Sequence, residues 1–279
     1  MMSLMSKLLK STLIATVVLS ANTQYDNKKL VKYIKKNVVK NPQVKVKGLT
    51  VVEQKTHKDL PGWDVLLTTM DLEYQGKDIK VPETMFIKDG LITGHLVDLK
   101  TGNDYRNSIR PTVPRKMYDD AHLLFGNKDA KHKILVFSDP MCPFCQEVVP
   151  EIMKAAKENP DKIALYYYHL PLMRIHPVSG VLTRIMHQAQ KEGKTDVVEK
   201  MYTFKIDPRE TNTTKILPKV KEHTGYSISA SNINTKEVKE ALKADEDAAA
   251  NLMVSGTPTV FIDGEWDKMR DGYKTLIRK

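Results

Sequence analysis

The chain holds two cysteines, and they stand together as Cys142-Pro143-Phe144-Cys145, directly after the apolar run Ile134-Leu135-Val136-Phe137 and a short loop. A strand leading into C-x-x-C at the start of a helix brings one sulfur within reach of the other, the arrangement of a dithiol redox site. At the N-cap or first turn of such a helix, unpaired backbone N–H groups and the helix dipole favour an anion. A thiol placed there titrates below its ordinary value of about 8.5. Cys142 is therefore the expected nucleophile. Cys145, one turn further in and more buried, is the expected resolving thiol, which breaks a mixed disulfide on Cys142 and closes the redox-active disulfide Cys142–Cys145. Pro143 suits the first turn because it has no N–H to leave unpaired. The same spacing also fits an inert disulfide or half of a zinc site. Zinc would need two further ligands; no cysteine remains, and His122 and His132 have no ligand spacing to the pair. No metal and no cofactor is expected.

Gly256-Thr257-Pro258-Thr259 is the second marker. A proline directly before a buried-looking strand cannot donate to the ladder. A cis Thr257–Pro258 bond would turn the chain sharply and leave the Thr257 backbone free to pair with a bound peptide. A Thr-Pro alone is an ordinary turn; the C-x-x-C more than 100 residues upstream changes its meaning. Thr257, Pro258, Pro143 and Phe144 are the expected substrate-binding residues. His169 ends a strand and His176 precedes a proline; either could line the active-site groove, but both read as structural. Tyr166-Tyr167-Tyr168 reads as a strand with alternate faces buried, not as a stacking platform.

These residues need elements to position them. At 279 residues and 41% hydrophobic content, the chain has room for about two packed units, and two cysteines cannot staple a small scaffold. The net charge is +10, with Lys and Arg scattered along the chain, and no nucleic-acid-reading motif accompanies it. Residues 1–21 have the form of a cleavable secretory signal. Lys7 and Lys10 precede the short apolar core Leu13–Leu19, and Ser20-Ala21 closes it. Export to an oxidising compartment gives a dithiol catalyst work to do.

Residues 25–38 carry Leu30, Ile34 and Val38 at helical spacing. Residues 44–99 alternate as strands, with tight turns at 75–78 and 88–90. The expectation is an α+β unit on an antiparallel sheet spanning 22–107. A partly helical linker follows over 108–130, with Met117 to Leu124 as its short helix. A second unit, 131–279, then runs strand, C-x-x-C helix with Pro150 inside it, strand at 163–169, helical block at about 178–250, strand at 259–262, and a final helix from about Lys268.

Together these features resemble the thioredoxin superfamily: the strand, the C-x-x-C, Pro150 five residues after the second cysteine, and Gly-Thr-Pro-Thr before a strand. Within it the chain resembles the DsbC/DsbG family of periplasmic disulfide isomerases. Phe137-Ser138-Asp139-Pro140-Met141-Cys142-Pro143-Phe144-Cys145 is similar to that family's active-site segment. Thr257 fits the residue before its cis-proline. Phe86 to Leu99, followed by Thr101-Gly102, is similar to the strand-turn-strand of its dimerisation domain. The resemblance implies a cystatin-like N-terminal dimerisation domain, a thioredoxin-fold catalytic domain with a helical insertion, and a V-shaped homodimer with a cleft. Its substrates would be misoxidised exported proteins, and a membrane thiol-transfer protein of the DsbD type would keep it reduced. The same residues also suit a DsbA-like dithiol oxidase recharged by a quinone-linked partner, or a holdase chaperone in which the cleft matters most. The thioredoxin-type buried acid six residues before the first cysteine is absent, because Val136 occupies that position.

Overall fold

The computed structural model describes residues 25–278; the expected signal segment lies outside them. Helix α1 (Asn27–Tyr33) starts at the N-cap Asp26, whose carboxylate accepts from the Lys28 N–H, and continues as a π turn over Ile34–Val38. Strands β1 (Val44–Thr56), β2 (Asp64–Tyr74), β3 (Lys77–Lys88) and β4 (Leu91–Thr93) form an antiparallel sheet in chain order. The hairpin turns Gln75-Gly76 and Asp89-Gly90 place two successive residues at positive φ, the geometry that matches strand twist. One sheet face packs Leu49, Leu66, Met70 and Met85 against Leu30 and Ile34. The other packs Val65, Leu67 and Phe86 against Tyr105, Ile109 and Met253.

A second sheet has the order β5 (Leu123–Phe125), β7 (Ile163–His169), β6 (His132–Ser138), β8 (Thr259–Ile262), β9 (Glu265–Asp267). β6 and β7 are parallel, and the other pairs are antiparallel. Helix α2 (Pro143–Glu158) connects β6 to β7 and runs on through Pro150. Helices α3 (Ser179–Lys191), α4 (Thr195–Lys200), α5 (Thr213–Thr224) and α6 (Lys236–Asn251) fill the stretch between β7 and β8. The short helix α7 (Tyr273–Leu276) ends the described chain.

The period of two sorts the core strands between faces. Ile134, Val136, Leu165, Tyr167 and Val260 pack with α2 and α3. Leu135, Phe137, Tyr166, Tyr168 and Phe261 face Ala249 and Leu252 at the end of α6. All three tyrosines are buried, so the reading of that triplet as a strand and not a stacking platform holds.

Two elements differ from expectation. The stretch 117–124 is not a helix: a 3-10 turn over Arg115–Met117 gives way to β5. The consecutive apolar residues Leu123, Leu124 and Phe125 are claimed by the β7 edge, where the Tyr167 N–H also donates to the His122 carbonyl. The final helix is shorter because β9 precedes it. The Asp267 carboxylate then accepts the N–H groups of Arg270 and Gly272, and Arg270 at φ 62° interrupts any helix there.

Candidate active site

Cys142 is the N-cap of α2, with extended backbone (φ −72°, ψ 123°) and Pro143 at the first helical position. Its N–H donates to the Asp139 carbonyl at 3.1 Å, and its carbonyl accepts from the Gln146 N–H at 3.0 Å, closing the first turn. The Thr257–Pro258 peptide is cis. It brings the Thr257 carbonyl oxygen to 3.4 Å from the Cys142 sulfur. Cys145 is completely buried beneath. The fold thus unites Cys142, Cys145, Thr257 and Pro258, while Pro143 and Phe144 lie exposed beside them, Phe144 at 64%. The apolar side chains of Met173 and Ile175, on the segment after β7, are also exposed.

The two thiols are driven apart. The Cys142 thiol is pulled down to about 5. The hydrogen bond from the Cys145 thiol is the largest cause. The N–H groups of Cys145 and Phe144 and the Thr257 hydroxyl add to it, and burial works against them. Burial pushes the Cys145 thiol up, and its hydrogen bond to Cys142 pushes it further. The hydroxyls of Ser138 and Thr257 offset part of that rise. Thr257 Oγ1 is buried and makes no regular hydrogen bond, so its favourable action on both thiolates is a polar contact at the margin of bonding geometry.

Asp139 is the residue that the sequence reasoning missed. Its carboxylate is fully buried and accepts four contacts. Oδ1 takes the Met141 N–H at 2.8 Å and the Ser179 hydroxyl at 2.6 Å. Oδ2 takes the Leu172 N–H at 2.8 Å and lies 3.2 Å from His176 Nδ1. One side chain therefore ties the cysteine loop to the segment after β7 and to the start of α3. The residue lies within the segment 137–145, but only the fold reveals its partners. Ser138 was missed as well: its Oγ accepts from the Tyr202 hydroxyl at 2.6 Å, and Tyr202 meets the Tyr167 hydroxyl at 2.7 Å. Tyr202 comes from the helical block and carries no local sequence signal.

The histidines sort as structural. His176 reaches Asp139, not a cysteine. His169 is buried against Tyr167 and His187, and among the described residues neither of its ring nitrogens has a hydrogen-bond partner. His122 lies between Asp119 and Asp245 at 2.7 and 2.9 Å, and His132 pairs with Asp263. Val136 is apolar and buried where a thioredoxin-type acid would stand. Among the described residues no group of His, Cys, Asp and Glu is arranged to hold a metal ion.

A dithiol with one acidic and one suppressed thiol, set at a helix N-terminus against a cis-proline loop, defines a thiol-disulfide oxidoreductase. The family model described as "Thioredoxin" matches residues 119–277, more than half of the chain, and the protein belongs to that family. A relative in Bacillus anthracis named "Probable disulfide bond formation protein D" is 24% identical over 168 residues, covering 55% of this chain and 77% of that protein. Its counterpart in Bacillus cereus is 22% identical, covering 55% and 78%. Among solved structures, oxidised BdbD from Bacillus subtilis is 19% identical, covers 60% of this chain and 95% of its own, and gives a TM-score of 0.48.

Proposed function

We propose that the protein is an exported, periplasmic thiol:disulfide interchange protein of the DsbC/DsbG type, acting as disulfide isomerase and reductase on misoxidised exported proteins. The observation that carries the exchange chemistry is the Cys142 sulfur, pulled toward thiolate by the Cys145 thiol and the helix N–H groups and placed beside the Thr257 backbone. The Cys142 thiolate attacks one sulfur of a substrate disulfide. The other substrate sulfur leaves as thiolate with the bonding pair, and a mixed disulfide remains. In isomerisation that freed thiolate, or another substrate thiolate, attacks the mixed disulfide, a new substrate disulfide forms, and Cys142 returns unchanged. In reduction Cys145 gives up its proton and attacks the Cys142 sulfur. The substrate leaves as a dithiol, and two electrons have passed from the Cys142–Cys145 pair. Thr257 and Pro258 dock the substrate backbone, and Pro143 and Phe144 flank it.

The sheet β1–β4 supports the isomerase direction. A catalytic unit needs no second sheet for oxidation, whereas a second unit that pairs two chains would create a cleft for a misfolded substrate. Among the described residues β1 pairs only with β2, so its other edge offers such a pairing surface. A DsbD-type membrane protein is the proposed electron donor.

A second reading has its own support. A depressed Cys142 pKa stabilises the reduced form and so makes the disulfide a stronger oxidant. The relatives named for disulfide bond formation fit a DsbA-like oxidase with a quinone-linked partner. Acid trapping of the cells followed by thiol alkylation separates the two. A mostly reduced Cys142–Cys145 pair supports the isomerase, and a mostly oxidised pair rejects it. A holdase is set against both by refolding of scrambled ribonuclease: Cys142→Ala should lose the activity, and full rescue by that variant would overturn the enzymatic reading.

A further inference from the structure

A pocket of about 230 Å³ opens beside the cis-proline loop, with Thr257, Pro258 and Trp266 in its walls together with Arg110, Lys268 and Arg270. The three cations come from two separate places, the stretch between the two sheets and the turn after β9. Among the described residues no Asp or Glu lines the pocket. The Arg110 guanidinium lies over the Trp266 ring, 4.6 Å from its centroid, while its Nη1 donates to the carbonyls of Arg106 and Ile109. Its position is therefore fixed from two sides. Three nearby carboxylates have partners of their own, although Asp267 lies in the same turn as Lys268 and Arg270, and Asp271 follows directly. Asp267 accepts the N–H groups of Arg270 and Gly272, Asp263 pairs with His132, and Glu265 meets the Thr112 hydroxyl.

We propose that this pocket receives a side-chain carboxylate of the substrate polypeptide, so that the protein favours disulfides flanked by Asp or Glu. The proposal rests on the thiol-disulfide exchange reading and narrows its substrate. A chain already held at Thr257 by its backbone carries neighbouring side chains into the pocket, with little further freedom to lose. There a carboxylate meets the Arg110 guanidinium, which lies over the Trp266 ring, with two more cations at hand. A lysine in the same place meets only like charge.

The test uses peptides with one cysteine, carried as a mixed disulfide with thionitrobenzoate and flanked on either side by Glu, Gln or Lys. Reduced protein attacks this disulfide through Cys142, the S–S bond breaks, and thionitrobenzoate leaves with the electron pair and is read by its colour. On at least one flank the Glu peptide should react about two- to fivefold faster than the Gln peptide at low salt, as a partly exposed charge contact allows. That preference should fall by at least about half in Lys268→Gln/Arg270→Gln, with Arg110 left to hold the remainder. It should persist in Lys219→Gln/Lys239→Gln, which removes equal charge elsewhere and so controls for general attraction to a basic protein. Equal rates for Glu and Gln peptides, or a preference that both double variants keep or both lose, overturn the pocket alone. No reaction with any peptide overturns the pocket and the exchange reading together.

Discussion

The Cys142 sulfur lies 3.4 Å from the carbonyl oxygen of Thr257, so two segments 115 residues apart in the chain meet at one atom pair. This contact turns two ordinary local features into a site. A substrate strand that pairs with the Thr257 backbone arrives with its own sulfur next to the attacking one.

The Thr257 hydroxyl favours both thiolates. Thr257→Val keeps the shape and removes that oxygen. The Cys142 pKa should rise by less than about one pH unit, because the hydroxyl makes a marginal polar contact and not a full hydrogen bond. Thiolate absorbance near 240 nm against pH measures it. An unchanged titration would remove Thr257 from the electrostatics of the site.

Asp139 accepts from Met141, Ser179 and Leu172 in a fully buried position. Asp139→Ala strands these donors, and the folded state should lose about 2–4 kcal/mol. Urea unfolding of the reduced protein measures it. Because Met141 adjoins Cys142, the exchange rate should fall as well. A variant with wild-type stability and rate would contradict the positioning role of Asp139.

His169 bears on the pH dependence of stability. Burial holds its pKa well below the ordinary histidine value, and its neighbour His187 is lowered by burial too. An unfolded histidine binds a proton near pH 6.5, whereas the buried neutral ring does not. Stability therefore falls as pH drops through that value and is unaffected by this group above it. His122 has the opposite sign: burial opposes its charge, but Asp245 and Asp119 outweigh burial and raise its pKa. Its contribution is present in acid and fades as pH rises through its folded value. His169→Leu removes two unpartnered nitrogens, so it should unfold within about 1 kcal/mol of wild type at pH 7 and be the more stable protein at pH 5. An acid sensitivity equal to wild type would assign the effect to other groups.

The legible parts of this chain were those written in local pattern. The strands 163–169 and 259–262 follow from dense β-branched and aromatic runs between breakers, and the observed bounds agree. Cys142 at the helix start and the cis bond before Pro258 follow from the chemistry of their residue types. β5 and β9 were not legible, because three residues carry no period and owe their strand form to a waiting sheet edge. Asp139 and Tyr202 were invisible as site residues for a related reason. A buried carboxylate or hydroxyl is defined by its partners, and those partners lie tens of residues away. The basic pocket has the same origin, since Arg110 and Arg270 become neighbours only in the fold.

An acidic, exchange-ready Cys142 beside a suppressed Cys145 is checked by alkylating the reduced protein with iodoacetamide across pH 4–9 and mapping the modified cysteine by mass. Modification should fall on Cys142, with a rate that rises to half its plateau at about pH 5 and is flat above pH 7. A rate that keeps climbing through pH 8–9, as for an ordinary thiol, or modification of Cys145 first, would contradict this assignment.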